Sequence, residues 1–480
     1  MPAPPYATGR WVVVRLVALV YVLGFTTALT QFRPLLGERG LTPVPAFLER
    51  TGWRTHPSLF RLHFSDRTVT GVAVVGFLLS VAALVGVVDL LPVGGWLAVW
   101  GVLWVLYLSI VNVGQVWYGF GWESLLLEAG FLTAFLGPST VAPPAPVLGL
   151  MVWLLFRVEF GAGLIKIRGD RCWRDLTCLY HHHETQPLPS PTSWWFHHLP
   201  RPLHRIEVLA NHVTQIVVPF ALFAPQPVAT VAGVVVIVTQ GWLLGSGNFA
   251  WLNLLTVTLA FAAISNRWLG LLVPVPGPQD LAAPPMWFAG LVLAVTVLMV
   301  ALAWWPIRNM VSRTQVMNGG ITPIHLGNTY GAFGSITRHR DEIVVEGTDD
   351  PDPGPDTQWR EYGFRGKPGD PHRRPPQVAP YHLRLDWLMW FAAISPRYAS
   401  PWFPRLLDAL LRGDRPVLGL LRHDPFPDAP PAFVRARRYR YRFTTRAERR
   451  ESGAVWHREE LGEYLPERSL GTRASDRPRR

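Results

Sequence analysis

Ahead of Pro306 the chain is built from apolar blocks of membrane-crossing length with few charges inside them, and behind Pro306 it is not. A helix needs roughly 20 apolar residues to cross about 30 Å of hydrocarbon. Nine candidate spans follow: Trp11 to Thr30, Thr68 to Leu91, Gly95 to Val113, Phe120 to Leu136, Val147 to Lys166, Ile206 to Phe223, Val228 to Leu244, Phe249 to Ser265 and Met286 to Trp305. The segments at Phe120 and Phe249 are the shortest and suit half-helices buried among the others, and Trp268 to Val275 suits a re-entrant piece. With 49% hydrophobic residues and 22 Trp, the reading is a mainly α membrane protein, a polytopic helical bundle of about nine spans over residues 1–306. Trp11 to Thr30 is long enough to span and has no clear small-residue cleavage site, so it reads as the first span and not as a cleaved signal.

Past Pro306, charges, Pro and Gly rise. Gly334 to Arg338 and DEIVVE, Asp341 to Glu346, have strand period, as does Phe433 to Thr444, where Arg alternates with Tyr. Leu383 to Ile394 and Trp402 to Leu411 read as short helices, and GTDDPDPGPD, Gly347 to Asp356, as a loop. Residues 307–467 are therefore expected to form a β-rich extramembrane domain with short helices, and residues 468–480 a disordered basic tail. The net charge of +12 sits in Arg-rich loops and the tail, which lipid headgroups explain without nucleic acid.

Ionisable groups inside spans are costly unless paired or facing a cavity, so each is a candidate for function. Glu123 and Glu128 fall on the fourth segment, and Arg157, Glu159 and Lys166 on the fifth. Glu159 and Lys166 share a helix face about 10 Å apart. On the sixth, Glu207, Asn211 and Gln215 recur every fourth residue, beside His212. Together they could build a polar pocket, or serve only as ion pairs and hydrogen bonds that hold the bundle. The chain has two lysines, Lys166 and Lys367, the remaining 43 of its 45 basic Lys and Arg residues being arginine. An amine kept where arginine is otherwise preferred points to a need for an amine, which can lose its proton when desolvated; a snorkelling interfacial lysine is the plainer account.

YGFGWESLLLEAGF (Tyr118 to Phe131), FRVEFGAGLIKIRGDRCWRDLTC, HHHETQPLPSP, RIEVLANH (Arg205 to His212), GNTYGAFGSI (Gly327 to Ile336), PPQVAPYHLRLDWLMWFAA (Pro375 to Ala393) and DPFPDAPPAFVRARRYRYRFT (Asp424 to Thr444) together resemble the lipase maturation factor family, in order and over most of the chain. The resemblance implies a multi-pass membrane chaperone that helps secreted lipases fold, with a lumenal C-terminal domain engaging the client, in the endoplasmic reticulum of eukaryotes. The Arg, Ala and Pro bias suggests a bacterial member, whose equivalent site is the plasma membrane. With nine spans, the loops 31–67 and 167–205 share a side with the C-terminal domain; their arginines put that side in the cytoplasm by the positive-inside rule, and the resemblance puts it outside.

Cys172 and Cys178 enclose five residues, match cysteines of the family motif, and suit a structural disulfide on an oxidising face. A redox role with client thiols is the alternative, although the spacing is not C-x-x-C. A metal site from His181, His182, His183 and the thiols is disfavoured, because adjacent histidines point in different directions. Arg435, Arg437, Arg438, Tyr439, Arg440 and Tyr441 could offer a basic, aromatic face to a client or to headgroups, or form a charged edge strand. No nucleophile elbow, P-loop or dinucleotide fingerprint occurs; neither a cofactor nor a metal is expected. The GAGLIK element also resembles, over a few residues, the lysine-bearing motif of vitamin K-dependent carboxylase and related membrane proteins, which implies Lys166 as a candidate base. The function expected is a binding factor for secreted proteins, lipases foremost. The alternatives are a membrane enzyme, which predicts a closed polar cavity reaching Lys166, and a transporter, which predicts a path open to both sides.

Overall fold

The computed structural model describes residues 6–270 and 281–471. Part of the stretch Trp268 to Val275 and residues 472–480 of the expected tail lie outside the described residues, and the tail's first residue, Arg468, belongs instead to the last strand, paired with Val434.

All nine apolar segments are helical, yet among the described residues six helices are long and apolar enough to cross a membrane, not about nine. They are α1 (Ala7–Leu36), α2 (Asp66–Leu84), α3 (Val93–Val113), α5 (Ala145–Arg168), α8 (Val228–Ser246) and α10 (Met286–Leu302), which continues to Val311. The other three are shorter or irregular for local reasons, so the count of about nine is not confirmed. The segment at Phe120 yields only the 14-residue α4 (Gly121–Ala134), most of it buried among its neighbours. The sixth segment is helical without a break over residues 201–221, but its regular α-helical part, α7 (Arg201–His212), passes into a π-turn over Val213–Val217 ahead of Pro219, the proline lacking the N–H that a regular helix needs. At Phe249, α9 (Leu252–Ala260) ends in a 3-10 turn after nine residues. Shortened helices of this kind are tolerated at membrane depth when protein encloses them.

The C-terminal region is a four-stranded antiparallel sheet in the order β2-β1-β3-β4, from β1 (Arg340–Thr348), β2 (Arg360–Glu361), β3 (Phe433–Phe443) and β4 (Trp456–Arg468). Its register pairs Val345 with Ala436 and Tyr441 with Arg458. The expected helices are present as α11 (Arg384–Ile394) and α12 (Trp402–Leu411). Gly334 to Arg338 is not a strand. It runs along the end of α5, where Asp170 N–H donates to the Gly334 carbonyl at 2.8 Å.

The sheet region is not held at a distance from the helices. One continuous hydrophobic core includes Tyr21, Leu154 and Trp251 from the helices with Val345, Met389 and Leu407 from the C-terminal region. Gln31, near the end of α1, donates to the His382 carbonyl at 2.7 Å and accepts from Arg384 N–H at 2.9 Å. Arg405 donates to the Leu41 carbonyl at 3.0 Å and Trp194 to the Thr444 carbonyl at 2.9 Å. These contacts put the loop after α1, the loop after α5 and the sheet on one side of the helices.

Candidate functional site

The site is organised by α5. Two of its glycines mark where other chain segments touch its backbone: a Cβ on Gly161 would meet the Tyr330 carbonyl oxygen at 2.3 Å, and one on Gly163 the Gln215 Cβ at 2.8 Å. The first contact seats residues 327–334 on α5, and the second seats the π-turn that follows α7. Asn211 and Gln215, four residues apart on one face, both meet the Lys166 amine. Lys166 Nζ donates to Asn211 Oδ1 at 2.9 Å and to Gln215 Oε1 at 2.8 Å, and lies 4.9 Å from the Trp173 ring centre, a cation-π contact.

The remaining candidates separate into three centres. Glu128 pairs with Arg157 and accepts from Tyr330 Oη at 2.8 Å, from Asn328 Nδ2 at 3.2 Å and from Gly327 N–H at 3.2 Å. Glu123 accepts from Tyr107 Oη at 2.5 Å and pairs with Arg384 at 2.8 Å. Glu159 accepts from Gln240 Nε2 at 2.6 Å, and Asn253 Nδ2 donates to Gln240 Oε1 at 2.6 Å. Glu159 and Lys166, expected on one face, share no ion pair among the described residues. Buried charges without such partners would cost several kcal/mol each.

Between α5, α7, α8, α9 and α11 lies a cavity of about 1310 Å³. Glu159, Lys166, Glu207 and Asn211 line it, whereas Glu123, Glu128, Arg157 and His212 do not. Aromatic and aliphatic side chains such as Trp122, Phe249 and Trp387 form much of its wall. Leu203, Ile206, Val238 and Trp242, all exposed, also line it, so it opens sideways between α7 and α8. His212 instead meets the Trp173 carbonyl through Nε2 at 3.0 Å.

The loop after α5 closes one end. Cys172 and Cys178 form a disulfide packed with Trp173, Leu179, Val208 and Ile336. The histidine run falls on α6 (Leu179–Thr185), where His182 and His183 are buried and line the cavity. Burial first, and then the positive charge of Lys166, pushes His182 down to about 3; burial holds His183 well below the ordinary histidine range. Both are neutral at pH 7.

On β3 the basic residues are engaged at home. Arg435 pairs with Glu346 at 2.8 Å, Arg437 with Glu460, and Arg438 and Arg440 with Asp341 at 2.5 and 3.1 Å. Tyr441 Oη donates to the Gly369 carbonyl at 2.7 Å, and Tyr439 sits beside Arg458. Arg438 and Arg440 remain more than 40% exposed, so the face shows alternating charge.

Several partners escape sequence reasoning because they come from distant segments: Arg384, Tyr330, Gln240 and Lys367, whose amine pairs with Glu342 at 3.0 Å beneath the sheet. The lysine count was the available signal for Lys367. Both lysines are buried.

A polytopic helical membrane domain whose buried polar centres are completed by segments of a C-terminal, sheet-containing region is the class these features define. The Lipase maturation factor transmembrane domain family matches residues 8–271 and the Lipase maturation factor C-terminal domain family residues 326–466. The chain belongs to the lipase maturation factor family. It is 41% identical to human Lipase maturation factor 1 over 96% of this chain and 88% of the human protein. To bovine Lipase maturation factor 1 it is 40% identical over 95% and 88%, and to human Lipase maturation factor 2 29% over 95% and 82%. No solved structure matches the chain.

Proposed function

We propose that this protein is a membrane-embedded maturation factor that assists the folding and assembly of secreted proteins, lipases foremost. The observation that carries the reading is the similarity to proteins named Lipase maturation factor through both the helical and the C-terminal parts, with no large segment left over. Residues 307–467 form the client-facing part. The outer surface of the sheet, where Arg438 and Arg440 stay half exposed beside Asp341, offers paired charges to a folding chain. A disulfide persists on an oxidising side, so the Cys172–Cys178 bond supports placing the sheet away from the cytoplasm, against the arginine count of the loops. The membrane is that of the endoplasmic reticulum in a eukaryotic source and the plasma membrane in a bacterial one.

Deleting the gene and restoring it on a plasmid tests this reading. The expected result is secreted lipase whose activity per unit mass falls on deletion and returns on restoration. Unchanged specific activity across the secreted lipases would sink it. One observation favours a second reading, a membrane enzyme: the cavity reaches Lys166, although it is largely apolar and opens sideways.

A further inference from the structure

At the edge of the cavity three side chains, two of them in its wall, come together without sharing any hydrogen bond. His183 on α6 and His204 and Glu207 on α7 each place one ligand atom within 4.8 Å of the other two. His204 and Glu207 are three apart on one helix and share a face; α6 brings His183 across to them. Both ring nitrogens of His183 are buried and unpartnered, as is Nδ1 of His204, and these two histidines are 1% and 2% exposed. Buried polar atoms are normally satisfied, so two neighbouring buried imidazoles with orphan nitrogens beside a carboxylate require an explanation. The far sides of two ligands are held. His204 Nε2 faces the His197 carbonyl at 3.4 Å, and Glu207 Oε1 accepts from Trp242 Nε1 at 2.7 Å, the outer contacts that fix a metal-binding imidazole and carboxylate in orientation.

We propose that His183, His204 and Glu207 bind a divalent transition-metal ion, zinc being the reference case. Two neutral imidazoles and a carboxylate are a ligand set for Zn²⁺, and three protein ligands leave a fourth position open. His183 and Glu207 line the cavity, so the open position faces its interior, where water or an anionic headgroup can enter. Zn–N and Zn–O distances of about 2.0–2.2 Å bring ligand atoms to roughly 3.4 Å of one another, which side-chain rotation supplies from 4.8 Å. Only one residue of the His181 to His183 run takes part, since neighbours on a helix diverge; the other two ligands lie 21 or more positions along the chain. The cysteines are disulfide-bonded and contribute nothing.

The test uses full-length protein in detergent without a histidine tag, loaded with zinc, desalted and assayed for metal by mass spectrometry. The expected result is about one zinc per chain, lost in Glu207→Gln and in His204→Ala and retained in His198→Ala. Trp242→Phe, which removes only the indole donor to Glu207, is expected to weaken zinc about 10-fold. Should the ligand variants fail to fold, X-ray absorption of the zinc-loaded wild type decides, with two imidazoles and no sulfur expected. Wild type that retains no zinc, zinc that survives both ligand variants, or a shell without imidazole would overturn the proposal.

Discussion

Arg384, in the first turn of α11, and Glu123, in the first turn of α4, form an ion pair at 2.8 Å with both side chains completely buried. Arg384 also donates to the Trp117 carbonyl at 2.5 Å and lies 3.4 Å from the Tyr118 ring centre. The C-terminal region thus supplies the counter-charge for a carboxylate of the helical region. Removing one partner of such a pair costs about 3–5 kcal/mol, because the other is left as an uncompensated buried charge. Arg384→Ala is expected to lower thermal stability in detergent sharply, and Glu123→Gln combined with Arg384→Met to recover a large part of the loss. Truncation after Pro306 should therefore give an unstable helical domain. A truncated chain that melts like the full protein would show that the pair carries no such weight.

Gly161 tests how residues 327–334 are seated on α5. An alanine there forces its Cβ onto the Tyr330 backbone carbonyl, which cannot swing aside as a side-chain tip would. Overpacking of this kind costs about 1–3 kcal/mol. On the same helix a Cβ at Gly149 meets nothing within 4 Å, so Gly149→Ala is expected to be neutral or to stabilise by up to about 1 kcal/mol. Melting curves of the two variants should move in opposite directions or differ clearly in size.

The helical segments were legible because apolar length is a direct signal, but where a helix turns short or irregular was not. The π-turn over Val213–Val217 ahead of Pro219 packs closely on Gly163, an irregularity that no local pattern records. β4 was missed for a related reason. WHREELGEYLPER lacks an apolar face of its own and gains its strand through pairing with β3, Tyr441 opposite Arg458 and Arg440 opposite Glu459. Candidates inside the spans were found from their cost of burial. Their partners Arg384 and Tyr330 belong to segments that read as water-facing, so the polar centres could be listed from sequence but not assembled.

Acid should destabilise the loop after α5. Burial first, then the neighbouring His198, His204 and His181, pushes His197 down to about 4, and burial pushes His182 down to about 3. An unfolded histidine titrates near 6.5. Between these values the unfolded chain binds more protons, so stability rises with pH across that window and is lost as pH falls from about 6.5 toward 4. Each histidine can contribute a slope of up to about 1.4 kcal/mol per pH unit. Melting between pH 7 and pH 5, with a chelator present to hold metal out, should show the fall, and His182→Phe should flatten it. A pH-independent melting temperature would contradict the burial of these rings.

Lys166 separates the two functional readings. Its amine is held by two amide oxygens and borders a cavity with space for the larger guanidinium. Arginine keeps the positive charge and the donors but cannot give up a proton at neutral pH. For a maturation factor that works by binding, Lys166→Arg is expected to stay folded and largely active in restoring secreted lipase, while Lys166→Met, which strands the Asn211 and Gln215 oxygens, should lose about 1–3 kcal/mol of stability. A Lys166→Arg protein with wild-type abundance and melting temperature but no maturation activity would instead require an amine that cycles through its neutral form, the behaviour of a general base.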